Sequence, residues 1–104
     1  MRHVKVDPEK RLVYAQGGAL WEDVDKATTA YGLVSVGGTI NHTGLGGLIT
    51  GGGFGYLTGQ YGLVIDNLQE VTMVVADGRI VKANENENPD LFWGIRGTFS
   101  YPAL

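Results

Sequence analysis

Gly37 to Gly62 read GGTINHTGLGGLITGGGFGYLTGQYG and hold 11 of the 17 glycines of a 104-residue chain. The stretch lies inside a longer run, Ala27 to Ile65, with no Asp, Glu, Lys or Arg. A solvated surface loop would carry charge. Glycine permits φ > 0 and removes the Cβ that keeps another body off the main chain. Both uses imply that something lies against this backbone.

Bare backbone presents N–H and C=O groups that need partners when covered, so the covering body is expected to be polar. Thr39, Asn41, Thr43 and Thr50 place short hydroxyl and amide groups between the glycines, and Leu45, Leu48, Ile49, Phe54 and Leu57 are available as anchors to a core. Successive N–H groups in tight turns bind anions without a lysine, so a phosphate-bearing cofactor suits the surface. The alternative is a set of tight turns packed on a neighbouring sheet. Two other phosphate loops are excluded by spacing: no three glycines fit GxGxxG, and no Gly-Lys pair ends a P-loop.

Outward from this stretch the chain reads as one domain, long enough to bury about two-thirds of its unfolded surface. A net charge of −3, with the basic residues scattered apart from Lys10-Arg11, gives no electrostatic footprint for nucleic acid. With no cysteine there is no disulfide, thiolate nucleophile or cysteine-ligated metal. MRHVKVDPEKR has no apolar core for a signal peptide. The uncharged run is broken by Gly, Thr and Asn well short of ~18 consecutive apolar residues, so no membrane span is expected and localisation is left open.

Val4-Lys5-Val6 and Leu12 to Ala15 flank Asp7-Pro8-Glu9-Lys10, which predicts a hairpin. Leu20, Val24, Ala27 and Tyr31 recur at helical spacing, with Glu22 and Asp23 in the first turn and Gly32 beyond the last. Leu33 to Val36 reads as a short strand. Val71 to Ala76 and Arg79 to Lys82 around Asp77-Gly78 predict a second hairpin. Asn88 as cap and Pro89 at the first position start a helix to about Ile95, burying Leu91, Phe92 and Ile95. The order is β-β-α-β-(glycine loop)-β-β-α, an α+β pattern.

These residues then carry a resemblance. Thr43-Gly44-Leu45-Gly46-Gly47 with Gly51-Gly52-Gly53-Phe54-Gly55, Tyr61-Gly62-Leu63 with Asp66-Asn67-Leu68, Ala76-Asp77-Gly78, and Asn88-Pro89-Asp90-Leu91-Phe92-Trp93 occur in order. Over about residues 4 to 97 the chain resembles the PCMH-type FAD-binding domain of flavin-linked oxidases similar to vanillyl-alcohol oxidase and para-cresol methylhydroxylase, in the berberine-bridge-like and 6-hydroxynicotine-oxidase-like branch. The resemblance implies two small α+β subdomains with FAD between them. It implies an FAD-dependent oxidoreductase that passes a hydride from a small organic substrate to the flavin, with reoxidation by oxygen. It nominates Thr43, Gly44, Gly46, Gly47, Gly51, Gly52 and Gly53 for FAD, and Ile80 and Val81 for the adenine end.

The resemblance also implies that residues 1–97 are part of a domain truncated at both ends, that 98–104 is a divergent tail, and that the substrate domain lies elsewhere. The family's flavin-linking histidine belongs to a segment ahead of this chain's first strand, and neither His3 nor His42 matches it. A cysteinyl flavin bond is impossible, since about Ile40 stands where that cysteine would be. The rival reading is a non-catalytic remnant that binds no flavin. A cell-wall-precursor reductase fits the Asp-Asn-Leu and Asn-Pro-Asp-Leu-Phe-Trp pieces less well. No catalytic residue or metal ligand is assigned.

Single residues read mostly as structure. His42 has no neighbour that would orient it as a base, and the sequon Asn41-His42-Thr43 would put a glycan on a cofactor-facing loop. Asp66 and Asn67 read as turn caps, Tyr56 and Tyr61 as core or rim aromatics, and Trp93 as packing.

Overall fold

The computed structural model describes residues 1–97, so the divergent tail, 98–104, lies outside the described residues. The first predicted hairpin forms. Strands β1 (Val4–Asp7) and β2 (Leu12–Ala15) pair antiparallel, Val6 opposite Val13. Asp7 Oδ1 accepts the N–H of Lys10 at 3.1 Å and so fixes the turn.

Helix α1 (Trp21–Thr29) follows, with Gly32 at φ 68° closing its C-terminal end. Its buried face differs from the expected one. Trp21, Val24 and Thr28 are buried, Leu20 precedes the helix as its cap, and Tyr31 is exposed beyond its end. Within the helix Trp21, Val24 and Thr28, at spacings of three and four, make the buried stripe, and Leu20 and Tyr31 lie outside its ends. Thr28 is satisfied inside the helix, its hydroxyl donating to Val24 O at 3.0 Å.

Residues 33–36 form no regular element and pair with no strand among the described residues, so the expected strand there is absent. The glycine loop holds two short helices where a loop without regular elements is expected from the sequence. They are α2 (Leu45–Thr50) and α3 (Thr58–Tyr61), followed by a 3-10 turn at Ile65–Asn67. Leu45, Leu48 and Ile49 fall at i, i+3 and i+4, and all three pack on the first core. The predicted turn roles of Asp66 and Asn67 hold: Asp66 Oδ2 accepts Leu63 N–H at 2.8 Å, and Asn67 Nδ2 donates to the carbonyls of Tyr61 and Leu63.

The second hairpin, β3 (Glu70–Val74) and β4 (Ile80–Asn84), has Met73 opposite Val81 and Val74 opposite Ile80. Gly78 at φ 88° makes its turn, as the Asp-Gly pair predicts. Helix α4 (Pro89–Ile95) then buries Phe92 and Ile95 with Leu91 half-buried. Asn88 does not cap it through its side chain, which donates to Lys82 O at 2.6 Å; its own carbonyl accepts Phe92 N–H, and its φ is 48°. Trp93 and Phe54 are exposed rather than packed, and Tyr56 and Tyr61 are surface aromatics.

Two cores result. Ala19, Trp21, Val24, Val36, Leu45 and Val64 form the first, against which both strands of the first hairpin pack through Val4 and Val13. Ala83, Phe92 and Ile95 form the second, with Leu68, Val71, Met73 and Leu91 around them. Each large side chain buried in this way contributes ~1.5–3 kcal/mol. The N–H of Gly97 donates to Thr50 O at 3.1 Å, tying the end of the second unit to α2.

Acid sensitivity follows from the start of α1. Asp23 accepts from Arg2 Nε and Nη2, each at 3.0 Å, and from the N–H of Leu20 at 2.8 Å. The Arg2 pairing, then the Leu20 N–H, hold its carboxyl below the usual carboxylate range. At Asp77 the Arg79 N–H, then its guanidinium, act in the same direction. A carboxyl held low by the fold stabilises it fully above the unfolded value, and that contribution disappears as pH falls through the folded value. The melting midpoint is expected to drop below about pH 4. Asp23→Asn is expected to make that drop shallower, and identical slopes for parent and variant would contradict the assignment.

Candidate functional site: the glycine surface

Residues 41–45 lie against the start of α1. Trp21 N–H donates to Thr43 O at 3.1 Å, Glu22 N–H to Asn41 O at 2.9 Å, and Leu45 N–H to Ala19 O at 3.1 Å. Leu20 and Gly44 thereby form an isolated antiparallel bridge. The chain then turns directly into α2, whose first residue, Leu45, is buried while Gly44, Gly46 and Gly47 stay exposed. Leu45 N–H is taken by Ala19 O, whereas the N–H groups of Gly46 and Gly47, two exposed residues in the first helical turn, have no intrahelical partner four residues back. Thr43 is half-buried, and its hydroxyl makes no hydrogen bond to a described residue. Thr50 differs: its hydroxyl donates back to Gly46 O at 3.1 Å.

The glycines of the segment separate into two kinds. A Cβ on Gly53 would come 2.7 Å from Val64 Cβ and 2.8 Å from Leu48 Cδ2, and one on Gly55 would overlap the carbonyl oxygen of Gly37. These glycines are required by the fold itself. A Cβ on Gly44 or Gly47 would meet nothing within 4 Å, and one on Gly46 only Gly17 O at 3.6 Å. Inside a helix, glycine costs ~1 kcal/mol relative to alanine, so Gly46 and Gly47 carry a cost that no internal contact explains. Gly59 in α3 shares this open setting and was not among the nominated residues.

Gly51 and Gly52 close α2, Gly51 N–H donating to Gly47 O at 3.2 Å and Gly52 N–H to Ile49 O at 3.0 Å. Gly52 and Gly53 have φ of 105° and 72°, and their carbonyls accept Ile65 N–H and Val64 N–H. Thr43 to Gly53 therefore run from the start of α1 through α2 to the Val64–Ile65 segment. Ile80 and Val81 sit on the other hairpin, Ile80 exposed and Val81 half-buried opposite Met73. His42 is exposed, and among the described residues no group of three His, Asp or Glu side chains is placed to hold a metal. No helix among them is long and apolar enough to cross a membrane.

Gly44, Gly46 and Gly47 thus form an uncharged, exposed set of glycines beside the Thr43 hydroxyl. A model of the FAD binding domain family matches residues 1–84. The chain belongs to that family. An FAD-linked oxidoreductase of Aspergillus terreus is 53% identical over 97 residues, 93% of this chain and 20% of that protein. The (R)-6-hydroxynicotine oxidase of Paenarthrobacter nicotinovorans is 35% identical over 97 residues, 93% of this chain and 21% of that relative. The crystal structure of 6-hydroxy-D-nicotine oxidase from Arthrobacter nicotinovorans matches with a TM-score of 0.89 at 34% identity, over 92% of this chain and 21% of its own.

The expected α+β fold of the FAD-binding domain, with FAD as the family's cofactor, is thus borne out. The chain spans about a fifth of the length of the curated relatives it matches. The open glycines Gly44, Gly46 and Gly47 fit the cofactor of an FAD-binding domain, since they leave its phosphates room to reach main-chain N–H groups.

Proposed function

We propose that this chain supplies part of the cofactor site of an FAD-dependent oxidoreductase acting on a small organic substrate. Thr43, Gly44, Gly46 and Gly47 would hold the pyrophosphate and flavin-proximal part of FAD through N–H groups and the Thr43 hydroxyl. Gly51, Gly52 and Gly53 extend that surface, and Ile80 and Val81 are assigned to the adenine end. FAD when bound supplies the hydride acceptor, with oxygen as the reoxidant. The part of these residues is to bind and orient, and the run from Ala27 to Ile65 itself contributes no charged side chain to the cradle.

The observation that carries this reading is the open space over Gly46 and Gly47, two helical glycines with no internal reason to lack a side chain. Gly47→Ala is expected to raise the urea midpoint, by up to about 1 kcal/mol in stability, while weakening FAD binding about tenfold through lost approach. Retention of a visible flavin band after free FAD is removed, followed in parent and variant, is the test. A parent that retains no flavin would favour the reading of a remnant that does not bind it. A variant that binds as tightly as the parent would move the FAD contact away from Gly47.

A further inference from the structure

The indole of Trp21 lies directly beneath the glycine segment. A Cβ on Gly37 would come 2.6 Å from Trp21 Cε3 and 2.8 Å from Cζ3, on the six-membered ring. A Cβ on Gly38 would come 3.2 Å from Nε1 and 3.3 Å from Cδ1, on the five-membered ring. Two consecutive glycines thus lie along the two rings of one side chain. The main chain of the same residue reaches the far end of the loop, where its N–H donates to Thr43 O at 3.1 Å.

Leu48 of α2 closes the arrangement. Its Cδ1 would stand 2.8 Å from a Cβ on Gly38 and its Cδ2 2.8 Å from one on Gly53. Trp21 is 3% exposed, and its Nε1–H is buried with no partner among the described residues. A buried donor without a partner is unfavourable, and a phenylalanine or leucine would avoid it. What only tryptophan supplies here is a flat surface two rings wide.

We propose that Trp21 is a positioning residue for the cofactor: acting through Gly37, Gly38 and the Thr43 carbonyl, it sets the height and register of residues 37–44, and so of the Thr43–Gly44 edge of the cradle. The proposal rests on the reading of Thr43 to Gly47 as the FAD-facing surface. Its mechanical part makes a separate claim. Gly37 is glycine because Trp21 is beneath it, so the two positions are coupled, and a smaller side chain at 21 removes the need for glycine at 37.

The test is a double-mutant cycle of Trp21→Leu, Gly37→Ala and both together, with Trp21→Phe as the conservative variant. Two readouts are used: amide hydrogen exchange by residue, and FAD affinity from quenching of flavin fluorescence. Each single change is expected to speed exchange across residues 41–47, leave residues 70–95 unchanged, and weaken FAD binding about tenfold through lost preorganisation. The double variant is expected to be no worse than Trp21→Leu alone, and Trp21→Phe to fall between it and the parent. Unchanged exchange at 41–47 in Trp21→Leu and Trp21→Phe, or fully additive effects in the cycle, would overturn the positioning. Faster exchange with undiminished FAD affinity would overturn its link to the cofactor. A parent that binds no FAD removes that link together with the FAD-facing reading, while the exchange data still decide whether Trp21 sets the loop.

Discussion

The Gly55→Ala variant is expected to lose about 3 kcal/mol of stability, the upper end of the usual cost of overpacking and a large share of the ~5–15 kcal/mol that holds a domain of ordinary stability. Gly55 is buried, and an added Cβ would overlap the carbonyl oxygen of Gly37. Both sides of that contact are backbone, so no side chain can rotate away. Gly37 in turn lies on Trp21, in the middle of the first core, and cannot retreat without opening it.

Gly55 also anchors α3. Its N–H donates to Thr58 Oγ1 at 2.9 Å while its carbonyl accepts Thr58 N–H at 3.2 Å, a reciprocal pair that displacement would break. Urea denaturation followed by tryptophan emission measures the loss. A midpoint matching the parent's would show that residues 37 and 55 do not approach one another as described. Gly59→Ala is the matched control, since a Cβ there would meet nothing within 4 Å.

Phe92→Ala is expected to cost about 3–5 kcal/mol, the range for removing a buried aromatic ring. Phe92 is 3% exposed and touches a core otherwise made of Ala83, Ile95 and half-buried neighbours, so little can collapse into the space it leaves. The Arg96 guanidinium, 5.2 Å from the ring centroid, would lose its aromatic partner as well. Because none of the residues in this core belongs to the first, the damage is expected to be regional. Hydrogen exchange should rise over residues 68–97 and change much less over 4–36. A uniform rise along the whole chain would show that the two cores unfold as one unit.

The parts of the fold that the sequence made legible are those with a local chemical signal. Asp7-Pro8 and Asp77-Gly78 specify their turns within a few residues, so both hairpins were readable, as were Pro89 at the start of α4 and Gly32 at the end of α1. What was not readable depended on distant partners. Residues 33–36 have strand composition, yet no neighbouring strand is available to them among the described residues. Helix α2 forms in a sequence of poor intrinsic propensity because Leu45, Leu48 and Ile49 dock on a core that only the fold assembles; their i, i+3, i+4 spacing was the available signal.

The glycine surface was legible as a place where another body approaches, but not as two populations of glycine. Separating Gly53 and Gly55, which face Val64 and Gly37, from Gly44 and Gly47, which face open space, needs the partner atoms. Trp21 gave no local sign of its role, since nothing in the sequence links it to Gly37 and Gly38. The exposure of Phe54 and Trp93 was unreadable for the same reason: hydrophobic character does not say which side chains find a neighbour.

Both sheets have two strands, so among the described residues every strand keeps one side of its hydrogen-bonding ladder open. For β3 and β4 that open border runs beside Val71-Thr72-Met73-Val74-Val75-Ala76, an uncharged and strongly β-forming run, with Val74 and Ile80 both exposed on one face. A second chain laid along such a border continues the ladder at no cost in backbone pairing, which is how fibrils grow. Glu70 and Lys82, 3.9 Å apart on that same face, are the charges that interrupt it. As an ion pair on an exposed sheet they are worth little, but charges on an edge strand are what makes edge-to-edge pairing unfavourable.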